Sequence, residues 1–277
     1  MENLKMFCLS LEPKHLNIIR DLNYTPVGLG DANFNDSWLL DKTGNNISNK
    51  NKFYGEYTFH YWLWKNYFDK LDDKWVGFCQ YRKFWTPTKI NKVSNNFLDF
   101  KTLLVNNIPE EYDSYDSIIG EPIYINQFRF SKFIKKNLST MIRNPSLFIN
   151  KKKRNIKFHF DMMHGHGNLL KAINLLDDKE KKDFTEFVNN SVSFNPHNMF
   201  ICKSKKLLKL YYESLFPWLE RCEGIFGFDL EGYGLKRIYG FLAERYMSYW
   251  FMKYSKFTLM PILFKNISDF NLIKAHQ

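Results

Sequence analysis

The chain has 277 residues, 44% of them hydrophobic and 18% aromatic, and a formal net charge of +11. That length suits one large α/β domain with a sizeable core, or two small ones. No apolar run approaches the roughly 18–20 residues that cross a bilayer, and Met1–Leu11 lacks the basic-then-apolar order of a signal peptide. Four scattered cysteines (Cys8, Cys79, Cys202, Cys222) without C-x-x-C spacing read as reduced thiols in a cytoplasmic protein and argue against a structural zinc site.

In chain order, Leu4–Leu11 is an apolar run suited to a buried strand, and Thr25–Gly30 (TPVGLG) is a second strand ended by glycines. Glu56–Tyr67 (EYTFHYWLWKNY) reads as a helix, because Tyr57, Tyr61, Trp64 and Phe68 recur at three and four residues. Trp75–Trp85 (WVGFCQYRKFW) reads as one strand leaving the core into a polar, basic tip, and Ser117–Ile125 as the next. Phe160–Leu176 is expected to be helical and Ser193–Cys202 to be a strand. A helix over Lys205–Cys222 is expected to break or kink before Pro217, and Leu235–Tyr254 is the last long helix.

No internal repeat or Gly/Ser-rich linker divides the chain, so residues 1–277 read as one domain with an excursion near the middle. Strands alternating with helices favour an α/β fold with a mostly parallel central sheet flanked by helices. The chemistry is then sought at the carboxyl ends of the strands. The excursion is the basic segment 129–157, with ten Lys or Arg and no acidic residue. On a helix its Phe130, Phe133, Ile134, Leu138, Met141 and Ile142 fall on one side and its cations on the other. Such an amphipathic helix either lies on an anionic membrane surface or packs as an ordinary surface helix.

The chain contains no phosphate-binding G-x-x-x-x-G-K-[ST], no dinucleotide-binding G-x-G-x-x-G and no G-x-S-x-G nucleophile elbow. His164 and His166 flank a glycine and could place two imidazoles near a phosphate, or simply mark a loop. Asp41–Ser48 (DKTGNNIS) gathers a carboxylate, two amides and two hydroxyls around a glycine. Such a segment is either a polar turn or a ribose- or uracil-binding one.

Three segments in this order, Asp41–Ser48 (DKTGNNIS), Tyr54–Asn66 (YGEYTFHYWLWKN) and Val76–Trp85 (VGFCQYRKFW), resemble a bacterial family of capsular-polysaccharide glycosyltransferases first catalogued as a domain of unknown function. Asn198–Ile201 (NMFI) and Arg237–Arg245 (RIYGFLAER) extend the resemblance in the same order. It implies a single GT-A-like domain that transfers a sugar from a nucleoside-diphosphate donor, in all expectation UDP-linked, to a glycan or lipid-linked acceptor. The setting it implies is surface-polysaccharide synthesis, in the cytoplasm or peripherally at the inner face of the membrane.

The resemblance places Asp41, Asn45 and Asn46 at the nucleotide, with Glu56 and Lys65 supporting that pocket. It puts Gln80, Tyr81 and Arg82 at the end of a central strand, where GT-A enzymes usually carry a metal-binding Asp-x-Asp. Asn198 would face the donor sugar from a later strand, and Arg237, Glu244 and Arg245 would sit on the last helix. His164 and His166 are kept as further donor-binding candidates.

Cleaving a sugar–phosphate bond needs a cation on the departing diphosphate. Here Arg82 and Lys83 stand where a metal site is usual, and Arg binds phosphate in bidentate fashion at any relevant pH. Weak or absent metal dependence is therefore expected, unless Asp229 or Glu231 closes over the site and holds Mn²⁺ or Mg²⁺. Arg82 in a structural salt bridge is the alternative. The chain departs from the family pattern at Gln80 (His in relatives), Lys83 (Arg) and Asn45 (Asp). An inverting transfer needs a base, for which Asp229, Glu231 and Glu244 are candidates. The competing function is a basic nucleic-acid-binding protein, but the positive charge sits in one segment without a recognition motif, so no nucleic acid is expected as partner.

Overall fold

The computed structural model describes residues 3–72, 74–127 and 153–270. Most of the basic segment, with its expected amphipathic helix, lies outside the described residues; of its described cations, Lys157 pairs with Asp161 at 2.6 Å. The chain gathers into two compact units. One comprises Met1–Glu121, Met199–Tyr212 and Tyr254–Gln277, and the other Pro122–Asn198 and Glu213–Lys253.

The first unit is built on a nine-stranded sheet. β1 (Leu4–Ser10) is buried at every position but Lys5, as a strand covered on both faces requires. It lies between β2 (Thr25–Gly28) and β4 (Trp75–Gln80), parallel to both, with Ser10 opposite Gly28 and Leu9 opposite Gln80. β3 (Leu39–Leu40) extends the parallel set beyond β2. On the other side β9 (Phe200–Cys202) runs antiparallel to β4 and to β6 (Ser117–Gly120), and β10 (Phe257–Met260) closes the sheet parallel to β6. β5 (Lys83–Trp85) and β11 (Ile262–Phe264) pair off this path. The helices α1 (Leu16–Asp21), α2 (Asn51–Tyr54) and α3 (Tyr57–Trp62) fall between the parallel strands in sequence, and α4 (Phe97–Thr102) falls between β5 and β6. The α/β architecture with a mostly parallel sheet is thus as the alternation of strands and helices implied.

Three expected strands are broken, two of them at turns with defined supports. Trp75–Trp85 reverses at Tyr81 and Arg82, so that β5 folds back antiparallel on the end of β4. The backbone there is committed elsewhere: Tyr81 N–H donates to Leu9 O, and the Tyr81 and Arg82 carbonyls accept from Ile267 and Lys265. Phe84 and Trp85 return to the core, where Trp85 Nε1 donates to Phe78 O at 2.9 Å. Ser193–Cys202 is split between β8 (Ser193–Phe194) and β9 by His197 and Asn198, whose φ values of 80° and 53° no strand can contain.

The second unit is mainly helical. β7 (Ile123–Tyr124) pairs with β8 as a small antiparallel sheet, so Ser117–Ile125 is also two strands. The expected Phe160–Leu176 helix is instead α5 (Ile156–His164) and α6 (Asn168–Ile173). They are separated by Gly165 and Gly167 in left-handed backbone at φ 94° and 76°, a conformation that stops a helix. α7 (Asp178–Asn190) is capped by Asp177, whose side chain accepts from Glu180 N–H. α8 (Lys205–Phe226) continues without a break through Pro217, where a kink or break was expected. α9 (Tyr233–Lys236) and α10 (Ile238–Tyr254) complete the described helices of this unit.

Candidate functional site

Because β1, β2, β3 and β4 are parallel, their carboxyl ends share one edge of the first unit. Ser10, Gly28, Leu40 with the following Asp41, and Gln80 with the following Tyr81–Arg82 stand there. Open α/β sheets bind ligands at this edge.

Asp41 is 2% exposed. Burial pushes its carboxyl above the usual range, and a hydrogen bond with Thr58 opposes that shift. Its Oδ2 is buried and has no hydrogen-bond partner among the described residues. The loop that follows is clamped to the helix after it. Asn66 acts like half a base pair: its Oδ1 accepts from Asn45 N–H at 2.9 Å and its Nδ2 donates to Asn45 O at 2.7 Å. Trp62 Nε1 donates to Thr43 Oγ1 at 2.9 Å, and Tyr61 OH to Asn45 Oδ1 at 3.3 Å. Asn46 turns inward, accepting from Ser48 N–H and donating to Gly44 O. Its amide therefore shapes the loop, whereas Asn45 is exposed. Lys65 is exposed, with its ammonium 3.4 Å from the Trp64 ring centre.

Gln80 is a bridge. Its amide donates to Glu56 Oε1 at 3.3 Å and accepts from Lys83 Nζ at 3.2 Å. Gln80 thus uses both of its polar ends, and Glu56, Gln80 and Lys83 are brought together as a group. Arg82 is exposed, its guanidinium 4.7 Å from the Tyr81 ring centre. No carboxylate lies within ion-pair distance of it among the described residues, so the salt-bridge alternative is not what it forms.

A buried histidine that no sequence motif marks holds this turn. His15 Nδ1 meets Ser10 Oγ at 2.8 Å and its Nε2 meets Ser268 Oγ at 2.6 Å, while Tyr81 packs 5.1 Å from its ring. Asn66 and His15 are the two residues here whose roles sequence reasoning missed. Asn66 lay inside a quoted motif but without a role, and the partners of His15 are five and 253 residues away.

In the second unit Asn198 is placed in the loop before β9, not on a strand, and its Nδ2 donates to Gly240 O at 3.2 Å. Glu244 lies on α10, accepts from His197 N–H at 2.6 Å through Oε1, and pairs with Arg245 through Oε2. Arg245 is 1% exposed, stacked 4.0 Å from the Phe194 ring centre and bonded to His159 Nδ1 at 3.1 Å. It is a core guanidinium. Burial, with Arg245 beside it, takes the His159 imidazole down to about 3. Arg237 sits between α9 and α10, 5.7 Å from the Tyr233 ring centre. His164 is buried, stacked 3.9 Å from Phe241 and bonded to Gly234 O, whereas His166 is exposed beside Asp161 at 3.5 Å. The two imidazoles do not act as a pair. Asp229 and Glu231 are exposed in a loop with left-handed Gly227 and Gly232. Among the described residues no group of three or more His, Cys, Asp or Glu could hold a metal ion.

Comparison with known proteins bears on the fold and the family. The apo structure of the WbbM bifunctional glycosyltransferase superposes with a TM-score of 0.65 at 20% sequence identity. The match covers 95% of this chain and 45% of that one, so the chain spans less than half of that protein. No curated protein is matched. A shared fold with a glycosyltransferase is what the GT-A-like expectation required. A family model, described as domain of unknown function DUF4422, matches residues 9–256, and the chain belongs to that family.

Proposed function

We propose that residues 1–277 work as a glycosyltransferase domain moving a sugar from a nucleoside-diphosphate donor, UDP-linked by preference, to a glycan or lipid-linked acceptor of a surface or capsular polysaccharide. The observation that supports this most is the fold shared with a solved glycosyltransferase over 95% of the chain. The carboxyl edge has the chemistry the reaction needs. Asp41, with its unpartnered buried oxygen, and Asn45 are assigned to the nucleoside, with Asn46, Glu56, Lys65, Gln80 and Tyr81 shaping the pocket around them. Arg82 and Lys83 are assigned to the diphosphate, whose negative charge grows as the bond to the sugar breaks. The acceptor oxygen bonds to the anomeric carbon, the diphosphate leaves with the bonding electrons, and the acceptor's proton passes to Asp229 or Glu231. Asn198 is assigned to the donor sugar. A divalent cation on Asp229 or Glu231 remains compatible with this chemistry, though Arg82 and Lys83 reduce the need for one.

The test is turnover of UDP- and GDP-sugars with and without EDTA. Arg82→Ala should lower turnover by about 100-fold, the scale of losing one charge-stabilising donor, while EDTA costs the wild type little. Full activity in Arg82→Ala, or complete loss in EDTA, would refute the diphosphate assignment. The basic segment 129–157 is proposed to hold the enzyme at an anionic membrane surface. Liposome flotation unchanged by Lys151→Glu, Lys152→Glu and Lys153→Glu would remove that part.

A further inference from the structure

The loop between β8 and β9 holds two successive residues in left-handed backbone, His197 at φ 80° and Asn198 at φ 53°. Neither is glycine, so each keeps its Cβ where it crowds the chain. Such a pair persists only where its surroundings over-determine it.

The surroundings here are one face of α10. Gly240, Glu244 and Ser248 are spaced by four and stand above one another on the helix. Ser248 Oγ accepts from Asn195 N–H at 2.8 Å and donates to Asn195 O at 3.1 Å. Glu244 Oε1 accepts from His197 N–H at 2.6 Å, and Gly240 O accepts from Asn198 Nδ2 at 3.2 Å. Glu244 is in turn fixed by Arg245, which pairs with its other oxygen. Arg245 itself is held by the Phe194 ring and by His159 Nδ1. Protonating Glu244, as a general base requires, would strip a buried guanidinium of its counter-charge.

We infer that Glu244 is a positioning residue: it braces the left-handed His197–Asn198 corner, so that His197 keeps the position in which it serves the sugar substrate while the Asn198 amide stays on Gly240 O, and it does not accept the acceptor's proton. What the corner faces rests on the proposed transferase reading, whereas the bracing is a property of the fold. A plain turn at this place would be met more easily by glycine; histidine and asparagine under strain are better explained by the use of their side chains.

The experiment combines thermal melts of wild type, Glu244→Ala, Glu244→Gln, His197→Gly and the Glu244→Ala, His197→Gly double variant with sugar-transfer kinetics of wild type, Glu244→Ala and Glu244→Gln. Glycine adopts φ 80° without penalty, so His197→Gly removes much of what Glu244 holds down. Glu244→Ala should lower Tm by about 5 °C in the wild-type background and by measurably less beside His197→Gly, the loss of Arg245's counter-charge being common to both. It should cut kcat about 100-fold, and Glu244→Gln, which keeps an acceptor for His197 N–H, should restore at least about tenfold of it. Equal Tm losses in both backgrounds would overturn the bracing. A Glu244→Gln protein that melts like wild type yet is as inactive as Glu244→Ala would make the carboxylate a base and overturn it as well. A wild type that transfers from no donor defeats the transferase reading, and the melts still decide the bracing.

Discussion

At the scale of single residues, the candidate site depends on side chains that hold loops as much as on those assigned to substrate. Gly44 is an example. Its φ is 58°, and a Cβ there would lie 2.2 Å from Asn66 Oδ1, the atom that accepts from Asn45 N–H. Gly44→Ala therefore meets strain and a clash together. It should destabilise the protein by about 1–3 kcal/mol and weaken donor binding by releasing Asn45; a melt and an affinity within error of wild type would show that the clamp is dispensable.

Buried histidines set a second expectation. His60 is fully buried among Phe59, Phe78 and Phe200, with Nδ1 on Tyr212 OH at 2.7 Å. Burial takes its pKa down to about 3. An unfolded imidazole takes its proton near 6.5, so between those values the unfolded chain binds more protons than the folded one. Stability is therefore complete above about pH 6.5 and falls as the pH drops toward 3, by on the order of 4 kcal/mol for a single such histidine. Denaturant titrations from pH 7 to 4 should show this slope, and His60→Gln should reduce it while His159 keeps its own share. A slope identical in His60→Gln would locate the acid sensitivity elsewhere.

At the scale of elements, what the sequence disclosed followed from periodicity, and what it hid followed from partners distant in the chain. β1 and β2 were legible as apolar runs with clear ends, and α3 as an aromatic stripe. The reversal at Tyr81–Arg82 was not, because the backbone partners that enforce it lie at Leu9, Lys265 and Ile267. The His197–Asn198 corner was hidden for the same reason: its support comes from α10, some 45 residues later. The α5–α6 break is readable in principle from Gly165 and Gly167, the two glycines that take the left-handed backbone there. Of the site, the motifs that carry the family resemblance marked Asp41, Gln80 and Arg82, whereas the geometry alone supplied His15 and Asn66.

Pro217 is the element-scale surprise. Inside α8 it lacks an N–H for the helix ladder and its ring crowds the preceding turn. The helix continues regardless, and the next residue, Trp218, is fully buried with Nε1 on Ala172 O at 2.8 Å. Packing of that kind outweighs a local penalty of about 3 kcal/mol. Pro217→Ala should accordingly raise stability, by up to about 3 kcal/mol, in equilibrium unfolding. A loss of stability instead would mean that the proline fits a local geometry which alanine does not reproduce.

At the scale of the whole molecule, the chain is a member of a family of unknown function with the fold of a glycosyltransferase, one unit sheet-based and the other mainly helical. The parallel strands bring a buried carboxylate, a clamped polar loop and an exposed arginine to a single edge of the first unit. The excess of positive residues is concentrated in one segment, and no helix among the described residues is long and apolar enough to cross a membrane. The central claim is that this chain binds a nucleoside diphosphate at that edge, and calorimetric titration with UDP tests it most directly. A Kd in the micromolar range, weakened at least about tenfold by Arg82→Ala as the loss of roughly 1.4 kcal/mol or more, is the predicted result. No heat with UDP or GDP at millimolar concentration, together with salt-sensitive RNA binding, would contradict it.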